Sequence, residues 1–314
     1  MPRFKLTIEY AGTRYSGWQI QKNARTIQGE IDRAVRTLTG RQDFELYGSG
    51  RTDAGVHAVA QVAHLDVSTN LPAETLRRRL NDDLPSDINI LSMVGVPHRF
   101  HARHDAVDRR YVYQVSRRRT AFAKAYVWWV KDPLDVARMR QAAQAFVGMQ
   151  DFRAFAATDG GRNAEDDELT PKERSTLVLL DRIDVEEDGD LILVRVHGSH
   201  FLWKMVRRIV GVLVEIGRGA MAPTAVPTLM AETSGAVARL TAPPSGLFLE
   251  RVSYDGGARA STDEPLRAIT PLRASVSAAT APSPEGSSRP QNGRQAPDAR
   301  RGRSSRPHRR RGSL

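Results

Sequence analysis

Cysteine is absent from the 314-residue sequence. This absence excludes a disulfide framework, a cysteine nucleophile, and zinc or iron-sulfur sites with cysteine ligands. Long apolar runs are missing as well, because none approaches the ~18 residues of a membrane span. The amino terminus alternates polar and apolar residues where a signal peptide would be apolar. We therefore expect a cytoplasmic protein that does not enter a membrane.

Acidic residues are scarce only in the last part of the chain. Residues 257–314 hold 12 Arg and 4 Asp or Glu, so they carry +8 of the net charge of +11 and leave +3 for residues 1–256. This segment is poor in aromatic residues and has no helical or strand periodicity, which predicts a disordered, Arg-rich tail. An RNA-attracting segment and a solubilising tail fit its composition equally well.

Residues 1–256 show alternating patterns of strands and helices. The first part predicts strand, helix, strand, strand, helix and strand at residues 3–10, 26–38, 43–47, 58–67, 72–81 and 88–96. The same order recurs at residues 110–116, 134–146, 175–185, 191–197, 201–216 and 248–254. The prediction is an α+β protein of two similar β-α-β-β-α-β halves, residues 1–104 and 105–256, with antiparallel-rich sheets and a cleft between them.

The segment between the strands predicted at 43–47 and 58–67 is rich in glycine and contains Asp53. Three glycines at residues 48–55 let the backbone turn sharply or approach a ligand closely. Arg51, two residues before Asp53, is placed to pair with its carboxylate. Because Gly, Ser, Thr and Asp are also ordinary turn residues, the pattern alone favours a structural hairpin loop over a catalytic one.

The stretch Gly-Arg-Thr-Asp-Ala-Gly-Val-His-Ala at residues 50–58 resembles the signature loop of the TruA family of tRNA pseudouridine synthases. Further segments resemble the same family in the same order, at residues 10–19, 26–30, 100–103, 110–113, 201–211 and 242–247. The resemblance covers the chain from about residue 3 to residue 254 and leaves out the tail.

The resemblance implies a reaction and a set of site residues. Asp53 is expected to be catalytic, Tyr111 to stack on the extruded base, Arg207 to orient Asp53 or a phosphate, and Leu247 to pack against the base. The expected substrate is tRNA, modified at conventional positions 38, 39 and 40 of the anticodon arm. The family also implies a homodimer and no redox cofactor or metal. Tyr113, which shares one face of the strand with Tyr111, is the competing tyrosine.

Two features of residues 201–216 bear on RNA contacts. Lys204, Arg207, Arg208, Gly211 and Glu215 share one stripe of the predicted helix, a pattern that is usually solvent-exposed. Trp203 and Lys204 depart from the family pattern, in which His or Asn is expected at these positions. This departure concerns local RNA contacts and leaves the expected chemistry unchanged.

His98, His101 and His104 have a spacing that can bring imidazoles together on one helical turn. Arginines are interleaved with them, and no carboxylate or cysteine lies between His98 and Asp105 to complete a set of metal ligands. We therefore interpret the segment as a basic, RNA-facing linker. Two other functions remain as alternatives: a non-catalytic RNA-binding protein of the same fold, and a synthase of the same family with different target uridines.

Overall fold

The computed structural model describes residues 1–157, 175–232, 235–254, 264–270 and 272. Within these residues the helices are α1 (Ile27–Thr39), α2 (Ala73–Asp83), α3 (Val136–Gln144), α4 (Met205–Gly217), α5 (Val226–Ala231) and α6 (Ala236–Arg239). The strands are β1 (Arg3–Tyr10), β2 (Glu45–Gly48), β3 (His57–Asp66), β4 (Ile88–Val96), β5 (Asp108–Ser116), β6 (Trp128–Trp129), β7 (Gly148–Asp151), β8 (Leu177–Asp188), β9 (Leu191–Gly198) and β10 (Leu247–Ser253). Every strand and helix expected from the sequence is present; β1 and β4 have the expected ends, and the ends of the others are shifted. The short elements β6, β7, α5 and α6 were not expected.

Local sequence explains the ends of the better-defined helices. At the start of α1 the Thr26 hydroxyl accepts a hydrogen bond from the Gly29 amide, and at its end Gly40 adopts a left-handed φ of 65°. A hydroxyl at the N-cap and a left-handed glycine after the last turn satisfy backbone groups that a helix leaves unpaired. The two residues therefore begin and end the helix where the apolar face begins and ends.

The strands form one ten-stranded, mostly antiparallel sheet in the order β4-β1-β3-β10-β5-β9-β8-β7, with β2 on β3 and β6 on β5. The order β4-β1-β3-β2 in the first part corresponds to β10-β5-β9-β8 in the second. Where separate sheets were expected, the last strand joins them: β10 pairs in parallel with β3 and antiparallel with β5. This joining satisfies backbone groups that two free sheet edges would expose. The division into two similar halves at residue 104 stays a prediction, because the sheet is continuous across it.

The strand that joins the sheet brings distant parts of the chain together. Phe248 is paired with His57, and Leu247 is paired with Tyr113. The segment that carries Asp53 ends where β3 begins, so it lies beside the start of β10 and the middle of β5. Tyr111 packs against both main hydrophobic clusters, one on each side of this junction.

Helix α4 is shorter and more buried than the sequence pattern suggested. It begins at Met205, four residues after the predicted start, because Lys204 has a left-handed backbone with φ 61°. The stripe is not solvent-exposed throughout, as such a pattern usually is, because Gly211 is buried and Arg208 is only 8% exposed. The segment at residues 240–242 covers this face of the helix. No helix in the described part of the chain has both the length and the apolar character needed to cross a bilayer.

Residues 264–270 and 272 belong to the predicted disordered tail, but the structure describes them packed on the sheet. Leu266 is buried in a cluster with Val112 and Leu193. The Gln114 side chain donates to Thr270 Oγ1 at 2.7 Å and accepts from the Ile269 amide at 2.8 Å. A short apolar segment with polar anchors is thus ordered by tertiary contacts that periodicity does not report. The rest of the tail, including its arginine run at residues 300–311, lies outside the described residues.

His64 on β3 is a fully buried histidine in the first part of the sheet. Its Nδ1 accepts a hydrogen bond from the Ala102 amide at 3.1 Å. Burial, reinforced by the nearby positive charge of Arg3, lowers the pKa of His64 to about 4. The imidazole is therefore neutral in the folded protein at pH values where an unfolded histidine, with a pKa near ~6.5, takes up a proton.

We expect His64 to make the protein less stable as the pH falls from about 6.5 to about 4. In this window the unfolded state binds one more proton than the folded state, which lowers the free energy of unfolding by up to about 1.4 kcal/mol per pH unit. His64→Gln keeps an acceptor for Ala102 and should remove that part of the slope. Urea titrations at several pH values test this, with the exposed His104 changed to Gln as the control. Equal slopes for the wild type and His64→Gln would contradict the prediction.

Candidate active site

The loop that carries Asp53 is held by hydrogen bonds from the surrounding strands. The Tyr10 hydroxyl lies 2.8 Å from Thr52 Oγ1, and Gln61 Nε2 donates to the Gly50 carbonyl at 3.0 Å. A turn forms at the site itself, where the Val56 amide donates to the Asp53 carbonyl at 3.1 Å. Backbone and side-chain anchors on both sides of Asp53 therefore give its side chain a defined direction.

The two oxygens of the Asp53 carboxylate have different donors. Trp203 Nε1 donates to Oδ1 at 2.9 Å, and Arg207 Nη1 donates to Oδ2 at 3.0 Å. The side chains of Asp53 and Arg207 are 18% and 13% exposed. At this burial the ion pair is screened less by water than one at the surface. Trp203 was not among the residues expected in the site, and its departure from the family pattern was the only sequence signal that concerned it.

Arg207 is itself fixed by the segment that covers α4. Its Nε donates to the Ala242 carbonyl at 2.7 Å, and its own carbonyl accepts from the Ala242 amide at 3.0 Å. Close approach of the two segments depends on Gly211, since a Cβ built there would lie 1.6 Å from the Leu240 carbonyl oxygen. Only a residue without a side chain leaves room for this backbone.

We expect Gly211→Ala to destabilise the protein by about 1 to 3 kcal/mol, since backbone atoms must move to admit the methyl group. The displaced segment carries the Ala242 carbonyl, so the Arg207 side chain should lose its anchor and turnover should fall as well. Gly95→Ala is the matched control, because a Cβ at Gly95 meets nothing within 4 Å. Thermal unfolding of both variants measures the effect, and equal midpoints would contradict the packing argument.

Asp53 lies in a cavity of about 240 Å³. All five residues expected from the sequence line this cavity: Arg51, Asp53, Tyr111, Arg207 and Leu247. Arg103, Arg109 and Lys204 also line it, whereas Asp53 is the one acidic residue among the lining residues that the structure describes. The cavity thus combines one carboxylate with several cations, a charge balance suited to a polyanion.

Tyr111 and Tyr113 differ in environment although they share one face of β5. Tyr113 is fully buried and donates to the Pro243 carbonyl at 2.7 Å. Tyr111 reaches the cavity, and its ring meets Phe201 edge to face at a centroid distance of 5.0 Å. Burial, with a smaller contribution from Asp53, raises the pKa of Tyr111 to about 12. The phenol is therefore neutral near pH 7, and the structure places Tyr111, not Tyr113, at the site.

Arg109 is a site residue that sequence reasoning missed. Its guanidinium donates to the carbonyls of Ser199 at 3.0 Å, Ser49 at 3.0 Å and Arg103 at 3.1 Å. These carbonyls belong to three separate segments around the cavity, so the Arg109 side chain links the three segments by hydrogen bonds. Its place two residues before Tyr111 on β5 put it on the cavity side of the strand, but nothing in the local pattern distinguished it from other arginines.

Leu247 is 6% exposed and is part of the hydrophobic core as well as the cavity wall.

His101 and His104 have rings 4.0 Å apart, and His101 Nδ1 accepts hydrogen bonds from the backbone amides of Arg103 and His104. That nitrogen is therefore used by the backbone. Over the described ranges, no group of three or more His, Cys, Asp or Glu side chains is arranged to hold a metal ion.

Comparison with known proteins identifies the family to which this sequence is similar. The family model described as tRNA pseudouridine synthase matches residues 6–105 and 142–255. A tRNA pseudouridine synthase A of Geotalea uraniireducens is 41% identical over 256 residues, covering 81% of this chain and 100% of the relative. The protein of the same name from Rhodopseudomonas palustris is 41% identical over 258 residues, with 81% and 100% covered.

A tRNA pseudouridine synthase A 2 of Clostridium perfringens is 36% identical over 256 residues, again covering 81% of this chain and 100% of the relative. Among solved structures, a crystal structure of an archaeal box H/ACA sRNP Nop10-Cbf5 complex gives a TM-score of 0.31 at 11% identity, over 68% of this chain and 44% of that chain. This structural likeness is too low to carry an argument. The family model matches more than half of the chain, and the relatives are 36% to 41% identical over 81% of it, so we conclude that the chain belongs to the tRNA pseudouridine synthase family.

Proposed function

We propose that this protein isomerises uridine to pseudouridine at positions 38, 39 and 40 of the tRNA anticodon arm, with Asp53 as the catalytic residue. The family and the names of the relatives support an isomerase that acts on tRNA. The observation that carries the finer proposal is the Asp53 carboxylate, which is bonded by Trp203 and Arg207 in a cavity whose other described lining residues are basic or neutral.

The chemistry matches what one carboxylate can supply. The bond between N1 of uracil and C1′ of ribose breaks, the base turns, and a bond forms between C5 and C1′. C5 then loses its proton, and N1 gains a proton. No electrons are gained or lost overall. A carboxylate serves such a sequence either as a nucleophile or by stabilising a cationic sugar. Both roles need a carboxylate oxygen that is accessible from the cavity, and Asp53 lines the cavity.

Other residues of the cavity fit the recognition of one extruded nucleotide. Enzymes that act on a base inside a folded nucleic acid take it out of the stack and hold it between aromatic and apolar side chains. Tyr111 and Leu247 offer such surfaces on adjacent strands. A neutral Tyr111 phenol can donate a hydrogen bond or relay a proton at carbon, since its pKa is raised to about 12. Arg51 and Arg207 are proposed to contact the backbone phosphate near the target, as guanidinium groups do in RNA complexes.

Tritium release tests the activity, and mapping of modified positions tests the target. Incubation with tRNA carrying tritium at uridine C5 should release the label, because C5 loses its hydrogen when it bonds to ribose. Release without any change at positions 38, 39 and 40 would favour a synthase with other target uridines. Binding of tRNA without release would favour the non-catalytic RNA-binding protein.

The same proposal includes a cytoplasmic homodimer, which lets one tRNA contact both subunits. It is taken from the family resemblance, and sedimentation with and without tRNA tests it. A monomer in both conditions would refute the dimer and leave the chemistry of the cavity unaffected.

A further inference from the structure

Trp203 contacts the carboxylate oxygen that Arg207 leaves open. Arg207 reaches Asp53 Oδ2 through Nη1, while its Nε is used by the Ala242 carbonyl. The pair therefore does not have the side-on geometry in which Nε and a terminal nitrogen each bind one oxygen of the same carboxylate. The indole N–H fills that place at Oδ1, 2.9 Å away. With one donor on each oxygen, the carboxylate cannot turn about its Cβ–Cγ bond without breaking both hydrogen bonds.

The backbone and the ring of Trp203 each have one further contact. The Ala157 amide donates to the Trp203 carbonyl at 2.9 Å, and Lys204 Nζ lies 4.4 Å from the centre of the Trp203 ring. Lys204 has the left-handed backbone that ends the loop and starts α4. A lysine seldom adopts this conformation, which costs on the order of 1 kcal/mol. The surrounding contacts thus maintain a strained turn at the residue that follows the indole.

An indole N–H differs from the histidine and asparagine side chains that the family resemblance led us to expect at this position, since an asparagine amide can accept as well as donate a hydrogen bond. Tryptophan donates only and does not titrate, whereas histidine titrates near ~6.5 and changes its donors with tautomer and charge. We infer that Trp203 is a positioning residue that fixes the orientation of the Asp53 carboxylate with a donor independent of pH. This inference rests on the proposed catalytic role of Asp53.

The kinetic test separates the N–H group from the ring. Trp203→Phe keeps an aromatic ring and removes the donor, so the single-turnover rate at saturating tRNA should fall roughly tenfold to a hundredfold. The dissociation constant for tRNA should stay within about twofold, because the lost hydrogen bond lies within the protein. Trp129→Phe, at a ring that is 43% exposed outside the cavity, is the matched control and should keep the wild-type rate. A full rate for Trp203→Phe, or a loss confined to tRNA affinity, overturns the inference.

Trp203→His tests the role of the donor in a second way. It should recover part of the rate lost in Trp203→Phe, and the recovered rate should change with a step near pH ~6.5 that the wild type lacks, as the imidazole titrates. A structural role for the ring alone predicts neither the recovery nor the step. Failure of the histidine to exceed Trp203→Phe at any pH between 5.5 and 8 would count against the hydrogen bond.

A spectroscopic measurement tests the contact without reference to activity. The chain has four tryptophans, so the full-length protein labelled with nitrogen-15 has four indole N–H resonances, and Trp203→Phe identifies one by its loss. Asp53→Asn should shift that resonance more than the other three. An unmoved Trp203 resonance overturns the inference, even if Asp53→Asn is inactive. If Asp53→Asn instead retains full turnover, the proposed function fails while the resonance still reports whether the contact exists.

Discussion

Asp53→Asn is expected to lower the single-turnover rate of pseudouridine formation at least about a thousandfold. The change keeps the shape of the side chain but removes the charge that a nucleophile or a stabiliser of a cationic sugar needs. Trp203 Nε1 and Arg207 Nη1 donate hydrogen bonds to the two carboxylate oxygens of Asp53, at 2.9 and 3.0 Å. The amide has only one acceptor oxygen, so one of the two donors must lose its partner. Tritium release from anticodon stem-loops at saturating enzyme measures the effect.

The control for this variant is Asp82→Asn, which removes a carboxylate from an exposed position on α2. It should keep the wild-type rate. Asp53→Asn should also keep its tRNA affinity, because it removes a negative charge from a cavity that faces a polyanion. Full turnover by Asp53→Asn would refute the catalytic assignment, and loss of folding in a thermal melt would require Asp53→Ser as the second variant, for which the same rate loss is expected.

Arg207→Ala is expected to reduce turnover about a hundredfold, the usual size of the loss when one charged donor is removed from an active site. Arg207 has two contacts, the Asp53 carboxylate and the Ala242 carbonyl, and both disappear in the alanine variant. Arg207→Lys keeps the positive charge but not the planar fork, so it should recover only part of the rate. The rate at saturating tRNA is the relevant measurement, since the contact acts on the carboxylate.

The matched control is Arg78→Ala, at an exposed arginine of α2 whose nearest partner is Glu74 at 3.4 Å. Such surface pairs contribute little to stability, so this variant should behave as the wild type does. If Arg207→Lys were as active as the wild type, a simple point charge would suffice, and the argument from the fork geometry would fail.

Much of the secondary structure follows from local sequence. The strand and helix patterns predicted the order β-α-β-β-α-β twice, and the described residues contain those elements in that order. Side-chain periodicity and caps such as Thr26 and Gly40 act within a few residues, so they are visible in the sequence. The weakest expectation was the start of α4, because the left-handed backbone of Lys204 has no local signal in a lysine.

Long-range pairing was not visible in the same way. Nothing local indicates that β10 enters the sheet between β3 and β5. A strand pattern indicates that a segment will pair with other strands, but it does not identify them. Likewise the ordered residues 264–270 are held by contacts with β5 and β9 that lie far away in the sequence. Similarly, periodicity places Arg208 and Gly211 on one stripe of α4 but does not show that the segment at 240–242 packs against Gly211.

By itself, the sequence determined the family, the order of the elements, and a carboxylate in a glycine-rich loop between two strands. The tertiary structure decided which groups face that carboxylate. Trp203 and Arg207 lie 150 and 154 residues beyond Asp53, and Arg109 reaches carbonyls of three separate segments. Local propensities act over a few bonds, whereas the charge and direction of a side chain in a cavity depend on groups that only the folded chain brings within hydrogen-bond distance.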